Sequence, residues 1–278
     1  MSIKRKRSKC RQHSVLPADG SRMEKKMKQL SIAVVTGASS GMGREFVRLL
    51  DRELSTLDEI WVIARRGDRL KELSDTVKTT LVPIELDLSD PDAAAVLSSR
   101  LKEKKPRVKV LVNSAGFGKI GKIKDLPVSD QLSMLRVNCL ALTEITCLML
   151  PFMTGKSRII NLASAAAFLP QPGFSVYAAS KAYVLSFSRA LNRELAGTGT
   201  VVTAVCPGPV KTEFFELAEQ TGVVPLYKRL VMADPVKVVE KAFRDSVCGK
   251  SVSVYGIPMK GFHFITKLLP HEKFLQLF

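Results

Sequence analysis

The stretch LSIAVVTGASSGMGREFVRLL, residues 30–50, constrains this chain more than any other. Its opening run, Ile32 to Val35, has the length and β-branched content of a buried strand. It passes directly into Gly37, Gly41 and Gly43, and helical periodicity follows through Phe46, Val47, Leu49 and Leu50. Strand, glycine turn and helix start together make an anion cradle. Glycine lets the backbone approach a pyrophosphate, and the unpaired N–H groups of a helix start attract negative charge. Ser39, Ser40 and Met42, set between the glycines, belong to the same cradle. The spacing Gly-x-x-x-Gly-x-Gly departs from the more familiar Gly-x-Gly-x-x-Gly, so the turn meets the dinucleotide pattern in kind rather than in letter.

The rest of the chain repeats this unit. Strand-like runs at about 31–36, 59–64, 81–86, 108–113, 157–163, 200–206 and 251–255 alternate with helical periodicity. Such alternation predicts an α/β fold, a doubly wound, Rossmann-like parallel sheet of about seven strands with helices on both faces. A length of 278 residues suits one domain of this kind. Right-handed crossovers place its ligand at the carboxyl ends of the strands, at the point where strand order reverses. The second strand, Glu59 to Ala64, ends in Arg65 and Arg66 with no acid beside them. An acid there would accept from the ribose 2′-hydroxyl of NAD, whereas an arginine accommodates the 2′-phosphate of NADP. The sequence therefore favours NADP(H), with Arg65 on the phosphate and Arg66 stacked on adenine; a pair of solvated charges at a loop start is the plainer alternative.

Tyr177 and Lys181, in SVYAASKAYVLSFSRAL, lie four residues apart and so share one face of a helix. A neighbouring ammonium ion favours the phenolate and lowers the tyrosine pKa from its usual value of about 10. A tyrosine tuned in this way exchanges protons near neutral pH. Taken alone, the pair reads more readily as a helix with a snorkelling lysine. However, TGASSGMG at 36–43, Asp87 of ELDLSD, NSAG at 113–116, Asn138, Ser164, Tyr177, Lys181 and PGPVKT at 207–212 occur in one order. That order resembles the short-chain dehydrogenase/reductase family, over roughly residues 30–256.

The resemblance implies a role for each position. Tyr177 would be the general acid/base, and Lys181 would lower its pKa while holding the nicotinamide ribose. Ser164 would hydrogen-bond the substrate carbonyl, and Asn138, in a helix beginning near Ser129, would hold a water linking Lys181 to solvent. Asp87, with Leu88 beside it, would meet the adenine. Asn113, Ala115 and Gly116 would line the cofactor cleft, and Pro207, Gly208, Val210 and Thr212 would face the nicotinamide ring and carboxamide. Ser114 stands where the family has a second asparagine and keeps a hydroxyl. Singly, serine, asparagine and aspartate at such places are ordinary caps and turns; the argument rests on their joint order. The implied reaction is hydride transfer between NADP(H) and a carbonyl/secondary alcohol pair. Phe214, Phe215, Leu217 and Tyr227, with Phe168, Leu169 and Phe174, suggest an apolar pocket for a bulky ketone or alcohol, a hydroxysteroid or bile-acid-like molecule among the candidates. Lys211, Lys228 and Arg229 would meet a distant carboxylate. The assembly is expected to be a homodimer or homotetramer, and the rival function is an NADP-sensing protein without catalysis.

The formal charge of +17 divides unevenly, with ten Lys/Arg and two Asp/Glu in the first 30 residues. Residues 1–29 read as a disordered basic leader, dispensable for catalysis and without the apolar core of a secretory signal. The remaining excess suits a phosphorylated cofactor, and no nucleic-acid partner is expected. Cysteines 10, 139, 147, 206 and 248 form neither a Cys-x-x-Cys pair nor a ligand cluster with histidine. Reduced thiols in the cytoplasm follow, each read as a small buried apolar side chain, with no metal site or disulfide framework. Glu144 interrupts the longest apolar stretch, so no transmembrane span is expected. Residues 257–278 form an amphipathic, apolar extension, read as packing on a partner subunit in preference to covering the cleft or resting on lipid.

Overall fold

The structure is a computed structural model that describes residues 29–214, 232–268 and 270–276. Seven strands form one parallel sheet: β1 (Ser31–Thr36), β2 (Glu59–Ala64), β3 (Thr80–Glu85), β4 (Arg107–Asn113), β5 (Arg158–Leu162), β6 (Val201–Val205) and β7 (Val252–Ser253). Their order is β3-β2-β1-β4-β5-β6-β7, so strand order reverses between β1 and β4. The helices are α1 (Gly41–Glu53), α2 (Gly67–Ser74), α3 (Ala93–Lys104), α4 (Val128–Leu135), α5 (Leu142–Met149), α6 (Ser175–Glu194), α7 (Pro235–Val247), α8 (Ile257–Leu268) and α9 (His271–Leu275).

Alternation within β1 builds two cores at once. Ala33 and Val35 face a cluster with Phe46 and Leu50 of α1 and Val238 and Val239 of α7. Ile32 and Val34 face the opposite cluster with Leu97 and Leu101 of α3, Ile145 of α5 and Leu191 of α6. A strand apolar on both faces is what a parallel sheet covered on both sides demands. Phe46 and Trp61 are fully buried, and truncating either to alanine would cost about 3–5 kcal/mol.

The expected strands appear within a residue or two of their observed bounds, and β7 is the shortest. That strand is two residues long because it pairs only with the end of β6, through Ala204↔Val252 and Val205↔Ser253. Asp245 of α7 anchors it, accepting from Ser253 Oγ at 2.7 Å and Lys250 Nζ at 2.9 Å.

Helix α4 and α5 are one continuous helix joined by a π-helical stretch, Arg136–Ala141. The whole span Val128–Phe152 is long and apolar enough, by length and composition, to cross a membrane. Here the sequence expectation needs amending, since a single glutamate does not remove that property. In the fold the same helix forms part of the layer over β4, with Ile145 and Met149 in the core beside α3.

Two further expectations change. Cys147 and Cys248 are exposed rather than buried, whereas Cys139 and Cys206 are buried, and Cys10 lies outside the described residues. The apolar C-terminal extension turns part of itself inward. Met259 and Phe262 of α8 pack on the third core cluster, while Ile257, Phe264 and Leu268 stay exposed.

Candidate active site

The reversal between β1 and β4 opens a cleft of about 980 Å³ at the carboxyl ends of the strands. Its floor is the glycine turn. Gly37 has φ +66°, and a Cβ there would lie 2.7 Å from the backbone nitrogen of Ala115. The turn therefore packs backbone against backbone on the loop after β4, where no side chain fits. Thr36 fastens the same contact, its Oγ1 accepting from the backbone N–H of Ser114 at 3.0 Å and of Ala115 at 3.1 Å. Gly43 lies beneath the turn, where a Cβ would stand 2.2 Å from the Gly37 carbonyl oxygen. Helix α1 starts at Gly41 with no acid in its first turn, so its free N–H groups face the cleft as an anion site.

Ser39, Ser40 and Met42 line the cleft, together with Arg65, Arg66, Asp87 and Leu88. The two arginines differ in how they are held. Arg65 is 75% exposed, with Nη1 3.9 Å from Asp87. Arg66 instead donates from Nη2 to Ser40 Oγ at 2.9 Å and to Ser39 Oγ at 3.1 Å, and from Nη1 to Glu213 at 3.0 Å. The hydroxyls of the glycine turn orient its guanidinium, which sequence spacing does not reveal. Asp87 accepts from the N–H and hydroxyl of Ser89. Burial pushes its carboxyl up, but those bonds and Arg65 outweigh it and hold the group below the usual range.

At the other end, α6 carries Tyr177 and Lys181 one turn apart, both buried. Lys181 Nζ lies 5.7 Å from the Tyr177 ring centroid and donates to the Leu162 carbonyl at 2.7 Å. Burial lowers its pKa to about 8. Burial also pushes Tyr177 up to about 12, against a hydrogen bond with Ser164 that pulls it down. The expected lowering of the phenol by Lys181 is therefore not found. The ammonium is aimed at a carbonyl oxygen rather than at the phenol, and desolvation dominates. Ser164 sits at the end of β5 as the cap of a short 3₁₀ turn, its Oγ accepting from Ala166 N–H at 3.1 Å.

Three expected site residues do not line the cleft. Asn138, in the π-helical stretch, donates to the Phe117 carbonyl at 3.0 Å and to Ser180 Oγ at 3.0 Å, and accepts from Phe117 N–H at 3.1 Å. Asn113 braces the sheet, donating to Thr146 Oγ1 at 3.0 Å and Asn161 Oδ1 at 2.9 Å. Gly43 is the third. Ala115 and Gly116 do face the cleft, as do Pro207, Gly208, Val210 and Thr212. At Gly116 a Cβ would stand 2.8 Å from Asn138 Oδ1 and 3.3 Å from Lys181 Nζ, so the glycine keeps those two polar groups adjacent.

The wall beyond Tyr177 is mostly apolar, formed by Phe117, Phe174, Phe214, Met259 and Phe262. Phe174 stacks on Tyr177 with centroids 4.3 Å apart. Phe168 stacks on His263 instead, and neither it nor Leu169 lines the cleft. Phe215, Leu217, Tyr227, Lys228 and Arg229 lie outside the described residues. Sequence reading missed Met259 and Phe262, brought in by α8, and the ion pair of Lys119 with Asp130 at 2.6 Å. None carries a local motif; only tertiary packing brings them together. Among the described residues no group of three or more His, Cys, Asp or Glu is arranged to hold a metal.

The model of the family described as short chain dehydrogenase matches residues 31–221. Sulfoacetaldehyde reductase 2 of Chromohalobacter salexigens is 36% identical over 235 residues, spanning 80% of this chain and 91% of that protein. A short-chain dehydrogenase from Sphingobium yanoikuyae, solved in complex with NADPH, superposes with a TM-score of 0.73 at 25% identity, over 86% of this chain and 94% of that one. One from Burkholderia phymatum, solved with NAD, shares the fold with a TM-score of 0.72 at 22% identity, over 90% and 95%.

Proposed function

Because the chain belongs to the short-chain dehydrogenase/reductase family and is an oxidoreductase of that kind, we propose that it interconverts a carbonyl and a secondary alcohol on a hydrophobic substrate using NADP(H). The observation that carries this reading is the convergence of Ser164, Tyr177 and Lys181 on the cleft whose far end holds the glycine turn and Arg66. The residues fit the cofactor. A helix start with open N–H groups suits a pyrophosphate, and Arg66, held by two serine hydroxyls, suits a 2′-phosphate.

Bound NADP(H) supplies the hydride. Tyr177, kept protonated by burial with a pKa of about 12, gives a proton to the carbonyl oxygen. Ser164 donates a hydrogen bond to the same oxygen, where negative charge grows. Lys181 is fixed by the Leu162 carbonyl and positions the ribose side of the site, while Asn138 holds the Phe117 loop and α6 together through Ser180. Phe117, Phe174, Phe214 and Phe262 favour a bulky apolar substrate and exclude water. Hydroxysteroids are one class to test, and the sulfoacetaldehyde relative gives a small, anionic contrast.

The test is a panel of hydrophobic ketones, hydroxysteroids and sulfoacetaldehyde assayed with NADPH and with NADH, following absorbance of the reduced nicotinamide. Turnover of bulky ketones with NADPH is the expected result. Turnover with NADH alone, or of sulfoacetaldehyde alone, would overturn the cofactor or the substrate half of the proposal. A chain that binds NADPH but turns over nothing would be the sensor alternative.

A further inference from the structure

Glu213 follows directly on the Pro-Gly segment, and its position is set by packing rather than by motif. Thr212 passes over the glycine turn, its Cβ and Cγ2 3.4 Å from where a Cβ on Gly41 would stand. Val210 pairs with Ala233 just before it. The chain thus returns across the adenosine end of the cleft and sets the Glu213 carboxylate between two guanidinium groups. One oxygen accepts from Arg66 Nη1 at 3.0 Å and the other from Arg69 Nη1. Arg66 is the same guanidinium that rests on the hydroxyls of Ser39 and Ser40.

We propose that Glu213 is a cofactor-selectivity residue, an internal anion that competes with the cofactor's 2′-phosphate for Arg66 and Arg69. A 2′-phosphate needs what the carboxylate already takes: two fork-shaped donors and their positive charge. All three side chains are about two-fifths exposed or less, so the competition occurs at a partly solvated site. Burial pushes the Glu213 carboxyl up, but Arg69 and Arg66 outweigh it and hold the group ionised at neutral pH. A cofactor without the 2′-phosphate leaves the pairs intact. One with it must break them, so Glu213 narrows the preference for NADP(H) that the arginines create. This inference rests on the NADP(H) reading above.

The experiment is isothermal titration calorimetry of the full chain, without nicotinamide, using 2′,5′-ADP and 5′-ADP as probes in a phosphate-free buffer. Glu213→Gln keeps the shape and removes the charge. It should tighten 2′,5′-ADP binding roughly fivefold or more and change 5′-ADP binding less than twofold. Arg66→Ala should erase the difference between the two probes. If Arg66→Ala erases it while Glu213→Gln leaves it unchanged or smaller, the inference falls and the NADP(H) reading stands. If Arg66→Ala leaves the difference intact, or the unaltered chain and Glu213→Gln both fail to distinguish the probes, both fall.

Discussion

At the scale of single residues, the site combines two groups whose burial opposes their usual ionisation. Tyr177→Phe removes the proposed proton donor while keeping the ring that stacks on Phe174. Ketone reduction should fall about 10²–10⁴-fold, with NADPH binding, followed by fluorescence titration, nearly unchanged; near-normal turnover would remove Tyr177 from the mechanism. Lys181 has a folded pKa of about 8 against an ordinary 10.5. Between those values the unfolded chain binds more protons than the folded one, so this residue makes stability rise with pH across that window and fall as pH drops through 8. Cys206, pushed up from 9.0 to about 12 by burial, works in the opposite direction above pH 9, so total stability hides the effect. Comparison with Lys181→Met isolates it. In urea melts from pH 7 to pH 9.5, the unaltered protein should gain about 2 kcal/mol relative to the variant, at ~1.36 kcal/mol per pKa unit. A parallel pH dependence would show that the ammonium is not desolvated. The pairing of Tyr177 with Lys181 was legible from spacing, but the direction of the tyrosine shift was not. It depends on burial and on where Nζ points, and neither is written in an i, i+4 pattern.

At the scale of elements, the glycine turn is held by contact with another segment rather than by its own conformation alone. Gly37 and Gly173 both have positive φ, +66° and +72°, but only Gly37 would drive a Cβ into backbone, whereas Gly173 has open space. Gly173→Ala should therefore cost only backbone strain, about 1 kcal/mol. Gly37→Ala should cost about 2–4 kcal/mol and weaken NADPH binding; equal chemical melts for the two variants would show that the Ala115 contact is slack. The strands and helices around this turn were readable because hydrophobic alternation and length set them locally. The different settings of Arg65 and Arg66 were not, since the hydroxyls of Ser39 and Ser40 hold the Arg66 guanidinium across 26 or 27 residues of chain. Asn113 and Asn138 illustrate the same limit. Their place in the motif order was visible, but the sheet brace and the π-helical turn that face them away from the cleft arise only in the folded chain.

At the scale of the molecule, the cleft draws one wall from the end of the chain. Met259 lies over Gly208, with Sδ 2.5 Å from where a Cβ would stand, and Phe262 lines the cleft. Ending the chain at Gly256 should raise KM for bulky ketones about tenfold or more while leaving the affinity for 2′,5′-ADP within twofold, because among the described residues α8 supplies Met259 and Phe262 to the cleft lining, whereas Arg66 is held by Ser39 and Ser40 of the glycine turn. Equal loss at both ends would mean that α8 supports the whole fold. The division of labour runs deeper than this wall. Strands β1 to β4 and helices α1 to α3 carry the glycine turn, Arg65 and Arg66, and the chain after the exposed tip at Lys122 to Asp125 carries Ser164, Tyr177 and Lys181, to which the proposed proton chemistry belongs. Cleaved at that tip, the protein would become two inert fragments whose reassociation along the β4–β5 edge restores turnover, and a dinucleotide bridging the join would act as the adhesive that reports their reunion.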